Sequence, residues 1–363
     1  MSVFEHRTGP TSPGGALTAL TLALALAACS PTPTGAQPGP AASAAPVKAS
    51  PGAAALAAIN DAALPANVAP DAGETTPDPA LIRAEVLLDR AGFSPGVIDG
   101  KAGSNARRAL AAFQARAGLA PTGQLDAPSW AALTRDTAPV ARTYAVTAAD
   151  VAGPYAADVG EDFVKLAALP AGPLFTSPLE ALAERFHMSQ TLLAALNPGA
   201  DFARAGTVLI VAAPGAPPLA KGQVTRITVS KSDAQVTAYG ADGAVLATYP
   251  ATVGSTDRPS PSGEHKVRGV AFDTDYVYDP AKLHWGPRSH GKLRIKPGPN
   301  GPVGVVWIDL DAPDYGIHGT PDPDKIGKTA SHGCVRLTNW DALALAHGVA
   351  PGVTVSFAGS RGA

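Results

Sequence analysis

From residue 223 to residue 357 the chain never runs far without a break: short β-rich segments alternate with Gly and Pro turns. Val224–Val229, Gln235–Tyr239, Val245–Val253, Gly304–Leu310 and Val353–Phe357 are of strand length and rich in β-branched residues. Proline removes a backbone donor and glycine weakens a helix, so this spacing argues against a helical bundle and predicts an all-β sandwich or barrel. Ala241-Asp242-Gly243 is a turn signal between two of the strands. One short helix is predicted near the end. Thr338 and Asp341 form its capping pair, Trp340, Leu343 and His347 ride on it, and Gly348 closes it. His347 belongs to that helix end.

The rest of the 363 residues has room for further domains. Residues 16–28 are a short apolar run after Arg7, too short for a comfortable bilayer span and suited to a signal-peptide core. Leu26-Ala27-Ala28-Cys29 resembles a bacterial lipobox, which implies removal of residues 1–28 and lipidation of Cys29; the alternative is a nearby ordinary cleavage site with an incidental cysteine. Residues 29–79 are rich in Ala, Pro, Gly, Ser and Thr and are read as a disordered tether. The net charge of −2 offers no electrostatic case for nucleic acid.

Residues 80–136 carry helical periodicity, with Leu81, Ala84, Leu88 and Ala91 on one face and Ala106, Leu110, Phe113 and Ala117 on another. Asp126 caps a third helix bearing Trp130 and Leu133. Gly96-Val97-Ile98-Asp99-Gly100, Ala112-Phe113-Gln114 and Ser129-Trp130 resemble the three-helix peptidoglycan-binding module of cell-wall enzymes, although the usual Gln of its first helix is absent. Residues 174–213 read as helix, turn, helix and strand, broken at Asn197-Pro198-Gly199. Ala183 to Ser189, Leu196-Asn197 and Ala205-Gly206-Thr207 resemble a LysM module, a βααβ glycan-binding unit. Its first strand is hard to place, since Pro170–Thr176 is a poor strand, and residues 137–173 give little. His187 is read as a half-buried helix-end residue. Both modules are read as holding the enzyme on peptidoglycan, so a fragment of residues 220–363 is expected to keep the chemistry provided it folds, since the modules can pack on the β domain.

The chemistry sits in two clusters, His318-Gly319-Thr320 and Ser331-His332-Gly333-Cys334-Val335-Arg336. The chain has two cysteines, and with Cys29 lipidated Cys334 is left without an intrachain disulfide partner. A thiol near a His and an Arg is a candidate nucleophile, its pKa lowered by these neighbours. If residues 331–337 run extended, His332, Cys334 and Arg336 share one face. Gly319 and Gly333 would let a substrate backbone approach closely.

These clusters resemble the signature of the L,D-transpeptidases, the cysteine enzymes of peptidoglycan cross-linking with a YkuD-like catalytic domain. Ser260-Pro261-Ser262-Gly263 looks like the family's Thr-Pro-x-Gly turn, and the likeness covers residues 223–357. The fold implied is multidomain: a small α-helical module, a small α+β LysM-like module and a mainly-β catalytic domain. The resemblance implies Cys334 as nucleophile and His318 as general base, oriented by a backbone carbonyl. His332 orients the site, supports the oxyanion or, as an alternative, is itself the base. The Gly333 and Cys334 N–H groups are the expected oxyanion donors. Arg336, Ser331 and Tyr278 are substrate-contact candidates. The alternatives are a fold-stabilising ion pair for Arg336, turn formation for Ser331 and simple packing for Tyr278 and its neighbour Tyr276. No cofactor is implied. A zinc site on His318, His332 and Cys334 is disfavoured, because zinc would quench the thiolate.

Acyl transfer between peptidoglycan stem peptides is the activity expected. The acceptor is a second stem (a 3→3 cross-link), an envelope protein, a D-amino acid or water. The place implied is the bacterial periplasm, on a lipid anchor at Cys29, in the outer membrane by preference. Two other classes stay open: a non-catalytic peptidoglycan-binding lipoprotein and a peptidoglycan peptide hydrolase. Carbapenems, which acylate this family's cysteine, separate the first of these from an enzyme.

Overall fold

The structure is a computed structural model, and it describes residues 51–65, 76–281 and 288–359. The expected signal peptide, Cys29 and most of the tether fall outside these residues, but the tether reading is corrected at Pro51–Asn60, which is a helix held by the burial of Ile59 and by two bonds between Asn60 and Ala141.

Four helices come first: α1 (Pro51–Asn60), α2 (Pro79–Arg90), α3 (Ser104–Arg116) and α4 (Ala127–Leu133). Asp78 caps α2, its carboxylate accepting the Ala80 N–H at 2.7 Å, and Pro79 follows where its missing N–H costs nothing. Asp126 caps α4 as expected, accepting the Ser129 N–H at 2.9 Å. The Gln114 side chain is fully buried and ties the α3–α4 loop together, donating to Gln124 O and Ser129 Oγ and accepting from Gly123 N. The single apolar faces predicted for α2 and α3 are incomplete. Ile82, Ala84, Glu85, Val86, Leu87, Leu88 and Asp89 of α2 are all buried, because the helix is covered on several sides.

The next unit runs β1 (Ala141–Ala145), α5 (Ala148–Ala152), α6 (Phe163–Ala168), α7 (Pro178–Arg185), α8 (Gln190–Leu196) and β2 (Val208–Ala212). β1 and β2 pair antiparallel from Ala141↔Ala212 to Ala145↔Val208. The first strand is thus in the stretch that had yielded little, and Pro170–Thr176 is not a strand. Asn197 locks α8 to β2: its buried carboxamide accepts from Ile210 N and donates to Ile210 O and Leu193 O.

The C-terminal region contributes β3 (Arg226–Ser230), β4 (Gln235–Tyr239), β5 (Val245–Pro250), β6 (Gly263–Phe272), β7 (Tyr276–Tyr278), β8 (Leu293–Ile295), β9 (Val306–Leu310), β10 (Gly316–His318), β11 (Val335–Arg336), α9 (Asn339–Gly348) and β12 (Thr354–Ala358). Eight strands form one sheet in the order β11-β10-β9-β6-β12-β3-β4-β5, while β7 and β8 make a separate hairpin. The expected sandwich or barrel takes the form of one ladder whose ends meet, since Thr252, just beyond β5, bridges back to Arg336 of β11. β6 joins its two halves, pairing with β12 along its first part and with β9 along the rest, with a shift of register between Val267 and Gly269. Ala342, Leu345 and Ala346 of α9 pack into the core with Ile227, Val236, Ile308 and Val355. Thr338 caps α9 as predicted, accepting the Asp341 N–H at 3.2 Å.

The three regions interlock. Residues 50–363 form one compact unit. Backbone bonds join Ser94 N to Thr248 O and Thr248 N to Gly92 O, both at 2.9 Å, and Ile98 to the stretch His187–Ser189. Ser94 Oγ donates to Asp341 Oδ2 at 2.9 Å, Asn105 Nδ2 to Ile326 O at 2.9 Å, and Asn339 Nδ2 to Glu184 Oε1 at 2.8 Å. His187 stacks on Trp340 at 4.9 Å and meets Asp89 Oδ1 at 3.2 Å, so three regions converge there. The condition attached to the fragment of residues 220–363 therefore decides its use, because the modules do pack on the β domain. A fragment of residues 220–363 would strip Thr248, Asn339 and Asp341 of partners, and buried polar groups without partners are costly.

Candidate active site

β10 and β11 lie side by side and parallel, with Ile317 opposite Val335 and His318 opposite Arg336. The two-residue period of strands then puts His318 and Arg336 on one face. Cys334 immediately precedes β11, and the Gly316 N–H at the start of β10 points at its thiol. Sequence-distant residues are joined here by a two-residue strand pairing, too short to show as a periodic pattern.

The chain is not extended through residues 331–334 as expected. It bends there, with Gly333 at φ +125°, and only Val335 and Arg336 are strand. Ser331 builds the bend: its buried hydroxyl donates to Cys334 O at 2.5 Å and accepts from Gly333 N at 3.1 Å. Ser331 therefore shapes the turn, and its hydroxyl is turned inward rather than toward substrate. The Gly333 N–H is likewise engaged, so it is available to an oxyanion only if the Ser331 bond gives way. Ser260 braces the other side, donating to Gly333 O at 2.7 Å and accepting from Gly254 N at 2.9 Å. Thr252 and Arg336 exchange backbone bonds of 2.9 Å, which holds β11 from its outer edge.

His318 is buried, with its ring stacked on Trp307 at 5.4 Å. Its Nδ1 lies 2.7 Å from Gly319 O, a partner that can only accept, so Nδ1 carries the proton and Nε2 is the basic nitrogen. Burial, and then the charge of Arg336, pull its pKa down to about 3 against the Gly319 carbonyl. The imidazole is neutral at physiological pH, as a general base must be. His332 is exposed at the bend, and burial of its ring followed by Arg258 and Arg336 lowers its pKa too.

The thiol departs from expectation. Cys334 is a half-buried residue, and desolvation pushes its thiol up to about 11, outweighing the Gly316 N–H and the Arg336 charge. The resting pair is thiol and neutral imidazole, not thiolate and imidazolium. Simple alkylation by iodoacetamide is therefore expected to be slow at pH 7 and to rise roughly tenfold per pH unit up to pH 10, following the thiolate fraction. A plateau reached by pH 8 would place the thiol near its ordinary value instead.

Two glycines serve a different purpose from the one predicted. A Cβ on Gly319 would lie 2.1 Å from Asn339 Oδ1, and one on Gly333 would lie 2.7 Å from the Tyr315 ring. The missing side chains admit protein groups, not substrate. Gly319→Ala is expected to displace Asn339 and destabilise the fold by about 2 kcal/mol or more, in line with overpacking of a dense interior. Chemical denaturation checks this, and unchanged stability would show that Asn339 can move aside freely.

Tyr278 is fully buried and packs against Phe163 at 5.1 Å, so it is a core residue and not a groove contact. Its neighbour Tyr276 faces the site. Burial and then the proximity of Cys334 raise its pKa. Phe163 of α6 also touches Tyr276, at 5.9 Å, and an open cleft of about 500 Å³ lies between α6 and Ser289-His290. Arg336 makes no ion pair with a carboxylate among the described residues, and its charge acts on Cys334, His318 and His332. No three His, Cys, Asp or Glu side chains among the described residues converge as metal ligands. Asn339 and Ser260 were missed as site residues, whereas Tyr276 was a groove candidate beside Tyr278. The Gly304 and Gly319 pair is the one signal for Asn339, since a Cβ on either would meet its Oδ1.

Residues 224–356 match the L,D-transpeptidase catalytic domain, and residues 77–133 match a putative peptidoglycan binding domain. The putative L,D-transpeptidase YkuD of Bacillus licheniformis is 32% identical over 181 residues, 49% of this chain and 92% of that protein. The probable L,D-transpeptidase YbiS of Escherichia coli K12 is 28% identical over 192 residues, 50% of this chain and 60% of that protein. Among solved structures, L,D-transpeptidase 3 from Mycobacterium tuberculosis in complex with a faropenem-derived adduct is 18% identical. That likeness covers 41% of this chain and 66% of the other, with a TM-score of 0.31. The chain belongs to the L,D-transpeptidase family. It is a multidomain member, with a helical peptidoglycan-binding module ahead of a mostly-β catalytic domain.

Proposed function

We propose that this chain is a cysteine L,D-transpeptidase working by two acyl transfers. The Cys334 sulfur attacks the carbonyl carbon of the L-to-D amide after meso-diaminopimelate in a stem tetrapeptide. His318 Nε2 takes the thiol proton as the S–C bond forms, and passes it to the departing nitrogen as the C–N bond breaks and D-alanine leaves. The side-chain amine of a second stem then attacks the thioester. It loses a proton to His318, which returns it to the sulfur, and a 3→3 cross-link results. The observation that carries this reading is the His318–Gly319 bond of 2.7 Å, which leaves a neutral base on the strand paired with β11, just after Cys334. Because thiol and imidazole are both neutral at rest, proton transfer accompanies attack. Arg336 is the group proposed to meet a substrate carboxylate, which suits a guanidinium.

The flanking regions are proposed to hold the enzyme on the wall. The helical module is assigned to peptidoglycan. The β1–α7–α8–β2 unit is proposed as a LysM-like glycan binder enlarged by the stretch between β1 and α7. Two weak sites on one chain raise local concentration without new contacts. A lipid anchor at Cys29 and a periplasmic place complete the proposal. Cys29→Ser should then move the protein from the membrane fraction to the soluble one.

The test has two arms. Intact mass spectrometry after exposure to a carbapenem should show a single adduct on Cys334. Incubation with tetrapeptide-rich sacculi should yield 3→3 dimers with release of D-alanine. Tripeptides alone would make the enzyme a hydrolase, and the absence of both adduct and product would make it a non-catalytic binder.

A further inference from the structure

Asn339 opens α9, and its side chain is buried between two regions of the protein. Its orientation is fixed by its partners. The Oδ1 accepts the Thr320 N–H at 3.1 Å and the Val305 N–H at 3.4 Å, while Nδ2 donates to Pro299 O at 3.1 Å and to Glu184 Oε1 at 2.8 Å. The Thr320 N–H belongs to the same peptide unit as the Gly319 carbonyl. That carbonyl is the acceptor for His318 Nδ1, at 2.7 Å. A continuous chain therefore runs from the Glu184 carboxyl through the Asn339 amide and the Gly319–Thr320 peptide to the imidazole. Every link points the same way, so each bond strengthens the next. Glu184 comes from the last turn of α7, outside the catalytic domain.

We propose that Glu184 is a positioning residue for the general base, acting through Asn339 and the Gly319–Thr320 peptide to orient and polarise His318, so that the α7 unit completes the active site and does more than hold the wall. The proposal rests on the cysteine–histidine reading given above. It puts an acidic group two amides away from an imidazole that has no carboxylate partner of its own. Two glycines make room for the relay, since a Cβ on Gly304 or Gly319 would lie 2.0 or 2.1 Å from Asn339 Oδ1. Other bonds that tie the flanking regions to the catalytic domain do not reach the base. Ser94 Oγ meets Asp341 on the same helix, and Glu180 Oε1 meets Asn300. Burial raises the Glu184 carboxyl to about 7 against its bond to Asn339, so at pH 8 the carboxylate predominates.

The test is the rate of Cys334 acylation by a carbapenem at pH 8, followed by intact mass on the full chain. Glu184→Met keeps the volume and removes the acceptor; Glu184→Ala is the second variant should the first not fold. Glu184→Gln retains an acceptor oxygen. Ser94→Ala breaks a bond from the helical module to α9 and leaves the relay intact. In the Met or Ala variant the first-order acylation step should slow roughly 10- to 100-fold, the scale of a misplaced catalytic group, with the half-saturating drug concentration unchanged. The Gln variant should recover most of the rate, and Ser94→Ala should acylate like the parent. Acylation of the Met or Ala variant at the parent rate overturns the inference. So does an equal loss in Ser94→Ala, which would reduce Glu184 to a docking contact. A parent protein that takes no adduct refutes the transpeptidase reading itself, so the two failures are distinct.

Discussion

Replacing Cys334 by alanine is expected to abolish both carbapenem adduct formation and cross-linking while leaving the fold nearly as stable as before. Without sulfur there is no nucleophile at the site, and neither Ser331 nor His332 can stand in. Ser331 has its hydroxyl bonded to Cys334 O, and His332 lies on the outside of the bend. Stability should change by about 1 kcal/mol or less. The thiol is small, the residue is half-buried, and its contact with Asp314 O is a long 3.7 Å, so little packing is forfeited. The thermal midpoint and the yield of cross-linked dimers from sacculi measure the two quantities separately. Residual cross-linking by the purified variant would mean that another group carries the acyl chain.

His318→Ala should slow acylation by about 10²–10⁴-fold, the usual contribution of a general base, and His332→Ala by less than about tenfold. The two histidines are separated by environment. His318 is buried, held by Gly319 O, and neutral down to about pH 3; His332 is exposed. If the His332 variant proves the slower of the two, their roles are exchanged. His318 also leaves a mark on stability. Its folded pKa of about 3 lies below the ordinary 6.5, so between those values the unfolded chain binds a proton that the native one refuses. Its contribution is fully present above pH 6.5 and is lost as the pH falls toward 3. His318→Gln should therefore flatten the decline in stability between pH 6 and pH 4. A decline unchanged in that variant would assign it to other groups.

How much of this was legible depends on how local each signal is. The strand Gln235–Tyr239 and the α9 cap at Thr338 were readable because alternation and capping are written within a few residues. Strand β6 escaped because most of its side chains are exposed or only half-buried, so it lacks a clear apolar alternation. Strand β1 escaped likewise, since four of its five residues are not buried and its partner β2 lies far along the chain. Tyr278 looked like a groove residue with Tyr276; the two share a face of β7 and both meet Phe163, so the strand period could not separate them, and only burial in the folded protein shows Tyr278 as the enclosed one.

By itself the sequence singled out the candidate site residues and the order in which the regions follow. Cys334, His318 and their glycines form short clusters whose residue types already suggest the proposed nucleophile and base. The tertiary structure alone decided the state of those groups and the dependence of the regions on one another. The thiol rises to about 11 instead of falling because burial outweighs a nearby charge, and burial is set by the whole fold. Glu184 reaches the base only because a helix from one region docks on the first turn of a helix in another. A hydrogen bond spanning that distance in sequence leaves no periodic trace in either segment. It exists only once both have folded and packed.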